Sequence, residues 1–204
     1  MEQILIHTSA VSRAANTAMV VGDMPFLSYQ ISEEEGMRNA GRLIKEAGAD
    51  AVKLEGGRRI TGLITRLVDA GIPVMGHLGL TPQSIKTMGG YSLQAKNTDD
   101  RKRLLEEAKL LEEAGAFSIV LEMIPSDLAK EVSQSLRIPT IGIGAGKECD
   151  GQVLVTQDLL GLFEGFKPKF VRHYARMAQQ VRDAAGQFIK DVKNREFPGT
   201  DESF

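Results

Sequence analysis

The chain has no tryptophan and a single cysteine, Cys149, among its 204 residues. One thiol cannot close an internal disulfide, so the sequence predicts a reducing compartment and offers no sulfur-rich metal site. Histidine is nearly as scarce, at three residues with no HExxH pattern, and zinc chemistry of that kind is excluded. Apolar runs extend over about six to eight residues, far below the roughly 18 that a membrane-spanning helix needs. The opening MEQILIHTSAVSRA also lacks a basic region followed by an apolar core, as a secretory leader would require. These absences predict a cytoplasmic protein with no membrane partner. Neither sign of charge dominates, with 25 basic residues against 27 acidic ones and a net charge of -2. Without a basic block or a basic and aromatic stripe, nucleic acid is not an expected partner.

Against those absences stands an ordinary globular composition, 42% hydrophobic, enough to bury one sizeable core. A single domain over 1–204 is expected. Three times a helical pattern ends in Ala-Gly and passes into an apolar run: EAGADAVKLE, DAGIPVMGH and EAGAFSIVLE. Gly48, Gly71 and Gly115 fall where a left-handed residue stops a helix, and the runs that follow read as buried parallel strands. Ser32 with Glu35 marks a helix start, as do Thr81-Pro82 and Ser126-Asp127. In TDDRKRLLEEAKLLEEAG the apolar positions 104, 105, 108, 110, 111 and 114 keep a helical rhythm. A long amphipathic helix is predicted over about 168–194, from Phe170, Val171, Tyr174, Met177, Val181, Ala185, Phe188 and Val192, followed by a polar tail.

Strands are predicted near 18–23, 50–55, 73–78, 117–123 and 138–143, with a weak sixth at 152–156. Strands alternating with helices call for a parallel sheet with right-handed crossovers, either doubly wound or a (β/α)8 barrel. The ends of the strands favour the barrel. AMVVGD stops on Asp23, AVKLE on Glu55, IPVMGH on His77 and FSIVLE on Glu122. A barrel gathers its site from most of its strand ends, whereas an open sheet concentrates it at one switch point. Eight strands and about 250 residues are usual for a barrel, so two strands are missing from the count.

Each of these residues also has a plainer explanation. Asp23 precedes Met24-Pro25-Phe26 and could simply cap a turn. Lys53 and Glu55, two apart on a strand, point to one face; they form a structural ion pair or face a polar pocket, since an unpaired buried charge costs several kcal/mol. Gly56-Gly57 lets backbone approach a ligand and favours the pocket. His77 lies in GHLGL, where flanking glycines deny it the packing of a core histidine. Glu122 is followed by Met123-Ile124-Pro125, and apolar neighbours would raise its affinity for a proton, as suits a general base. Cys149, between Glu148 and Asp150, is a poor nucleophile candidate because neighbouring acids disfavour thiolate. Asp23 and Glu55 offer only oxygen, a donor set suited to Mg2+. IGIGAGKE departs from GxGxxG at Lys147 and is not followed at once by a helix; its glycines are expected to let a loop approach a ligand or a neighbouring strand.

GDMPF at 22–26, VKLEGG at 52–57, GHLGLTPQS at 76–84, GGYSLQ at 89–94 and IPTIGIGAGKECDGQVLV at 138–155 closely resemble the ketopantoate hydroxymethyltransferases over essentially the whole chain. The resemblance implies a (β/α)8 barrel, Mg2+, a decameric homo-oligomer, and hydroxymethyl transfer from 5,10-methylenetetrahydrofolate to 3-methyl-2-oxobutanoate in pantothenate synthesis. Asp23 and Glu55 match the family's metal-ligand positions, with Asp23 also in contact with substrate. Lys53 matches a substrate-binding position, Glu122 the general base, and His77 a pocket-lining position. The family has two earlier strands, the second ending in Gly-Asp-Ser. This chain matches from the following helix onward and is expected to form a weak or inactive enzyme without them. A Mg2+-dependent 2-oxo-acid lyase of the phosphoenolpyruvate and pyruvate barrels, or a non-catalytic remnant, are the alternatives.

Overall fold

The apolar runs form strands because each is bounded by a helix stop and a polar turn. The computed structural model describes residues 1–204 as two compact units, 1–153 and 154–204. In the first unit the strands are β1 Val21–Asp23, β2 Ala51–Glu55, β3 Val74–Gly79, β4 Ser118–Glu122, β5 Thr140–Ile143 and β6 Gly151–Gln152. Its helices are α1 Glu2–Ala14, α2 Glu33–Ala47, α3 Thr61–Asp69, α4 Ile85–Met88, α5 Thr98–Glu113 and α6 Ser126–Ser135. Ser32 caps α2 by accepting the Glu35 N–H, and Gly48 closes it in the left-handed region, as the sequence pattern required. Asn97 does the same service at the start of α5, accepting the Asp100 N–H.

All six strands form one parallel sheet in sequence order. A doubly wound sheet would reverse that order at a switch point; this one winds in a single direction, as a barrel does. The curled sheet is a half-barrel, not the closed eight-stranded barrel, because β1 and β6 remain its two edges. The weak sixth strand is shorter than expected. Val153 N–H still reaches Gly142 O, but Val155 O already accepts the Leu159 N–H, which opens the next helix.

Alternation along the strands divides the residues between two faces. On the helix side Val52, Leu54, Val74, Ile119 and Leu121 have no exposed surface, and they join Leu43, Leu67, Ala108, Leu111, Leu128 and Val132 in one core. Their burial supplies the main force that holds the unit together. The opposite, concave face receives the charged residues.

In the second unit α7 spans Thr156–Leu160 and α8 spans Met177–Asn194. The long helix thus begins at Met177 and not near 168. The reason lies in the competing bonds of the preceding segment: Tyr174 N–H goes to Leu159 O and Val171 N–H to Pro168 O, so neither joins a helical ladder.

Candidate active site

The ladder register explains why residues distant in sequence meet. Asp23 pairs with Lys53, Glu55 with His77, and Gly79 with Glu122. Partners in a parallel ladder share a face, and so do residues two apart on one strand. Asp23, Lys53, Glu55, His77 and Glu122 therefore all project from the concave face near the carboxyl ends of four adjacent strands. Every site residue inferred from the sequence enters this one cluster.

Lys53 is its electrostatic hub. Its Nζ lies 3.0 Å from Asp23 Oδ1, 3.9 Å from Glu55 Oε1 and 3.2 Å from His77 Nδ1. An ammonium has donors only, so Nδ1 presents its lone pair to Lys53 and the imidazole proton sits on Nε2. That proton faces Glu122 Oε2 at 3.2 Å, with a geometry that falls short of a hydrogen bond and leaves Nε2 buried without a partner. The His77 side chain is only 3% exposed. The neighbouring glycines thus do not spare it from packing: a Cβ on Gly76 would run into Leu111 on the helix side, which is where that glycine makes room.

Exposure grades the carboxylates. The Asp23 side chain is 53% exposed, Glu122 15% and Glu55 5%. Burial pushes the Glu55 carboxyl above the ordinary range, outweighing the opposing influence of His77, the Gln83 N–H and Lys53; a buried charge loses its hydration and neighbours restore only part of it. No group of three or more His, Cys, Asp or Glu side chains is arranged to hold a metal ion. Any protein donors would be the Asp23 and Glu55 carboxylates, and Mg2+ characteristically takes one or two such ligands and fills its other positions with water and substrate oxygens. Both carboxylates lie around the Lys53 ammonium, and as oxygen donors they are of the chemical type that suits a hard cation.

The surroundings of the cluster contain residues that the sequence alone did not single out. Tyr29, 4% exposed, accepts the Glu55 N–H at 3.0 Å, and burial raises its hydroxyl well above the ordinary phenol value, so it remains a donor. Gln83 N–H donates to Glu55 Oε2 at 2.9 Å. Gln83 lies within the GHLGLTPQS motif and Tyr29 shortly after GDMPF, but no periodicity marks either. Leu80 N–H donates to Glu122 O at 2.8 Å, and Met123, directly after Glu122, takes the left-handed backbone with φ 49, a conformation costly for a residue with a side chain. The glycine-rich loop does approach a neighbour: a Cβ on Gly142 would meet Cys149 and Gln152, and one on Gly146 would meet Ser126. Cys149 is buried, and burial raises its thiol, consistent with a packed residue and not a nucleophile.

The family model described as ketopantoate hydroxymethyltransferase matches residues 1–200. The chain belongs to that family. The 3-methyl-2-oxobutanoate hydroxymethyltransferase of Syntrophus aciditrophicus is 57% identical over 204 residues, covering 100% of this chain and 75% of that protein. The enzyme of the same name from Clostridium botulinum (strain Langeland) is 56% identical, covering 100% of this chain and 74% of its own length. The chain is thus a hydroxymethyltransferase of this family, spanning about three quarters of its relatives. Among solved structures, a phosphonopyruvate hydrolase in complex with oxalate and Mg2+ superposes with a TM-score of 0.54 at 13% identity, covering 99% of this chain and 72% of that one. A putative lyase/mutase from Burkholderia cenocepacia gives 0.53 at 15% identity, with 98% and 69% covered. These two likenesses are of fold. High identity along the whole chain decides for the hydroxymethyltransferase and against the lyase alternative.

Proposed function

We propose that the concave cluster carries out the family reaction: transfer of a hydroxymethyl group from 5,10-methylenetetrahydrofolate to 3-methyl-2-oxobutanoate, giving 2-dehydropantoate. The observation that carries this assignment is the meeting of a nearly buried carboxylate, Glu122, with a lysine ammonium and two further carboxylates on one face. The 2-oxo acid needs a base at C3 and positive charge near its oxygens. Glu122 takes the C3 proton. The Nε2–H of His77 faces the same carboxylate, while Lys53 attracts the negative charge of the substrate's carboxylate and of the oxygen that gains charge as the proton leaves. The resulting C3 nucleophile bonds to the one-carbon unit of the folate co-substrate; that carbon gives up both of its bonds to folate nitrogens, water supplies the hydroxyl oxygen, and tetrahydrofolate leaves with the protons its nitrogens regain. Asp23 and Glu55 would hold Mg2+, which when bound polarises the 2-oxo group and stabilises negative charge there. The Mg2+ named with the fold neighbour phosphonopyruvate hydrolase supports the same ion for this oxygen donor set.

We extend the proposal to a complete (β/α)8 barrel for the family fold, closing over the edges that β1 and β6 present here, and to a cytoplasmic homo-decamer; light scattering on purified protein tests the assembly. The chemical assignment is tested by deuterium exchange at C3 of 3-methyl-2-oxobutanoate without folate, which isolates the proton-removal step. Glu122→Gln keeps shape and removes the base, and exchange is expected to fall by roughly 10^2- to 10^4-fold. Exchange at the parent rate would move the base to another residue.

A further inference from the structure

Gln83 lies outside the ionisable cluster, in the short turn Pro82–Ser84 after β3, yet its bonds run to both segments that carry the candidate metal ligands. Its backbone N–H donates to Glu55 Oε2 at 2.9 Å. Its side-chain Nε2 donates at 2.8 Å to the carbonyl of Met24, the residue directly after Asp23. The amide oxygen accepts from the Tyr29 hydroxyl at 2.9 Å and from Gln30 Nε2 at 3.0 Å. These partners fix the amide's orientation: turned over, its NH2 would face the Gln30 NH2, and its oxygen would face the Met24 carbonyl. The Tyr29 hydroxyl, oriented in this way, is the acceptor for the Glu55 N–H.

We infer that Gln83 is a positioning residue whose amide ties the loop after Asp23 to the turn that grips Glu55, fixing the distance between the two carboxylates. Met24 has no exposed surface and Tyr29 is 4% exposed, so water cannot replace the amide as their partner, and its loss leaves buried polar groups unpaired. The Asp23 carboxylate, half exposed and paired with Lys53 alone, has no second anchor of its own; its placement follows its backbone, which Gln83 holds one residue further on. The consequence for turnover rests on the proposed function, whereas the tie itself belongs to the chain without metal or substrate.

Gln83→Met tests this on the full chain, because it keeps length, volume and the backbone N–H and removes only the amide; Tyr29→Phe is the second variant and stands in if the first does not fold. Amide hydrogen exchange in the absence of Mg2+ should quicken about tenfold or more at Met24 and Glu55, with Ile119, Val120 and Leu121 unchanged. In the C3 exchange assay the Mg2+ concentration giving half the maximal rate should rise about 10- to 100-fold, as for loss of residues that orient metal ligands, while kcat at saturating Mg2+ stays within about threefold of the parent. Unchanged protection at Met24 and Glu55 in both variants would overturn the inference. So would equal loosening of all strands, or local loosening with an unmoved Mg2+ curve, since Gln83 would then serve stability alone. A parent chain with no C3 exchange would refute the proposed function, and the amide-exchange result would then decide the tie by itself.

Discussion

Gly79→Ala should be among the most damaging single-methyl additions available in this molecule. Gly79 has φ +91, and an ideal Cβ there would overlap the carbonyl oxygen of Glu122 and lie 2.8 Å from Ile124 Cγ2. The left-handed backbone costs an alanine about 1–2 kcal/mol. Relief of the overlap must come from backbone, since the Glu122 carbonyl cannot rotate away without loosening the Leu80 N–H bond of 2.8 Å that it accepts, worth about 1 kcal/mol net. Together with the displaced Ile124 the loss comes to about 2–5 kcal/mol, a large part of the roughly 5–15 kcal/mol that keeps a domain folded. Gly41, in the middle of α2, has open space where its Cβ would lie, so Gly41→Ala is the matched control and should stabilise by about 0.5–1 kcal/mol. Urea unfolding at constant slope reads both changes. Because the overlap is with Glu122 itself, any folded Gly79→Ala protein should also lose C3 exchange. A Gly79→Ala chain as stable and as active as the parent would refute the close approach.

Lys53→Met removes the ammonium shared by Asp23, Glu55 and His77; 3-methyl-2-oxobutanoate should bind about 10- to 100-fold more weakly, measured by calorimetric titration at low salt, and unchanged affinity would deny Lys53 a place at the substrate. Asp150 accepts from Thr140 N and Oγ1 at 2.8 and 3.1 Å, and the Thr140 N–H foremost holds its carboxyl below the ordinary range. A depressed carboxyl contributes stability above the unfolded aspartate value, near 3.9, and loses it as pH falls through the lower folded value. Asp150→Asn should therefore flatten the acid limb of the stability curve between about pH 4 and the folded value; an unaltered limb, followed by circular dichroism, would contradict this. Cys149, buried and with a raised thiol, should react with a thiol reagent at pH 7–8 more than about tenfold slower in the native protein than in denaturant, and equal rates would show it to be open.

Most of the framework was legible because two periodicities dominate this chain. Alternation at Val52, Lys53, Leu54 and Glu55 states both the strand and the face of its charges, and the repeated Ala-Gly stops mark where helices yield to strands. That is why Asp23, Lys53, Glu55, His77 and Glu122 could be gathered before any geometry was known. What lay beyond reach was set by contacts with no period. Gln83 and Tyr29 matter through hydrogen bonds between segments far apart in sequence, and a polar residue in a turn looks the same whether it faces water or a buried carboxylate. The segment before α8 misled for a related reason: its apolar residues fall at helical spacing by composition, but the Tyr174 N–H finds Leu159 O instead of a carbonyl one turn back. The glycines beside His77 suggest thin packing, yet the space that Gly76 leaves lies on the opposite side of the sheet, against Leu111.

The shared face of the charged residues also determines which changes in length this chain can survive. Val52 and Leu54 are seated among helices with no exposed surface, and they act as a ruler: Lys53 and Glu55 reach the concave side only because each ruler residue occupies its slot. Deleting one residue between Val52 and Glu55 would send a lysine or a glutamate into the aliphatic core and an aliphatic side chain into the site. The same deletion in a loop on the far side of a helix leaves the ruler unread. Surface connections of this chain should thus tolerate added or lost residues, while inside the central strands the spacing is held by the buried aliphatic side chains, and the polar chemistry inherits it.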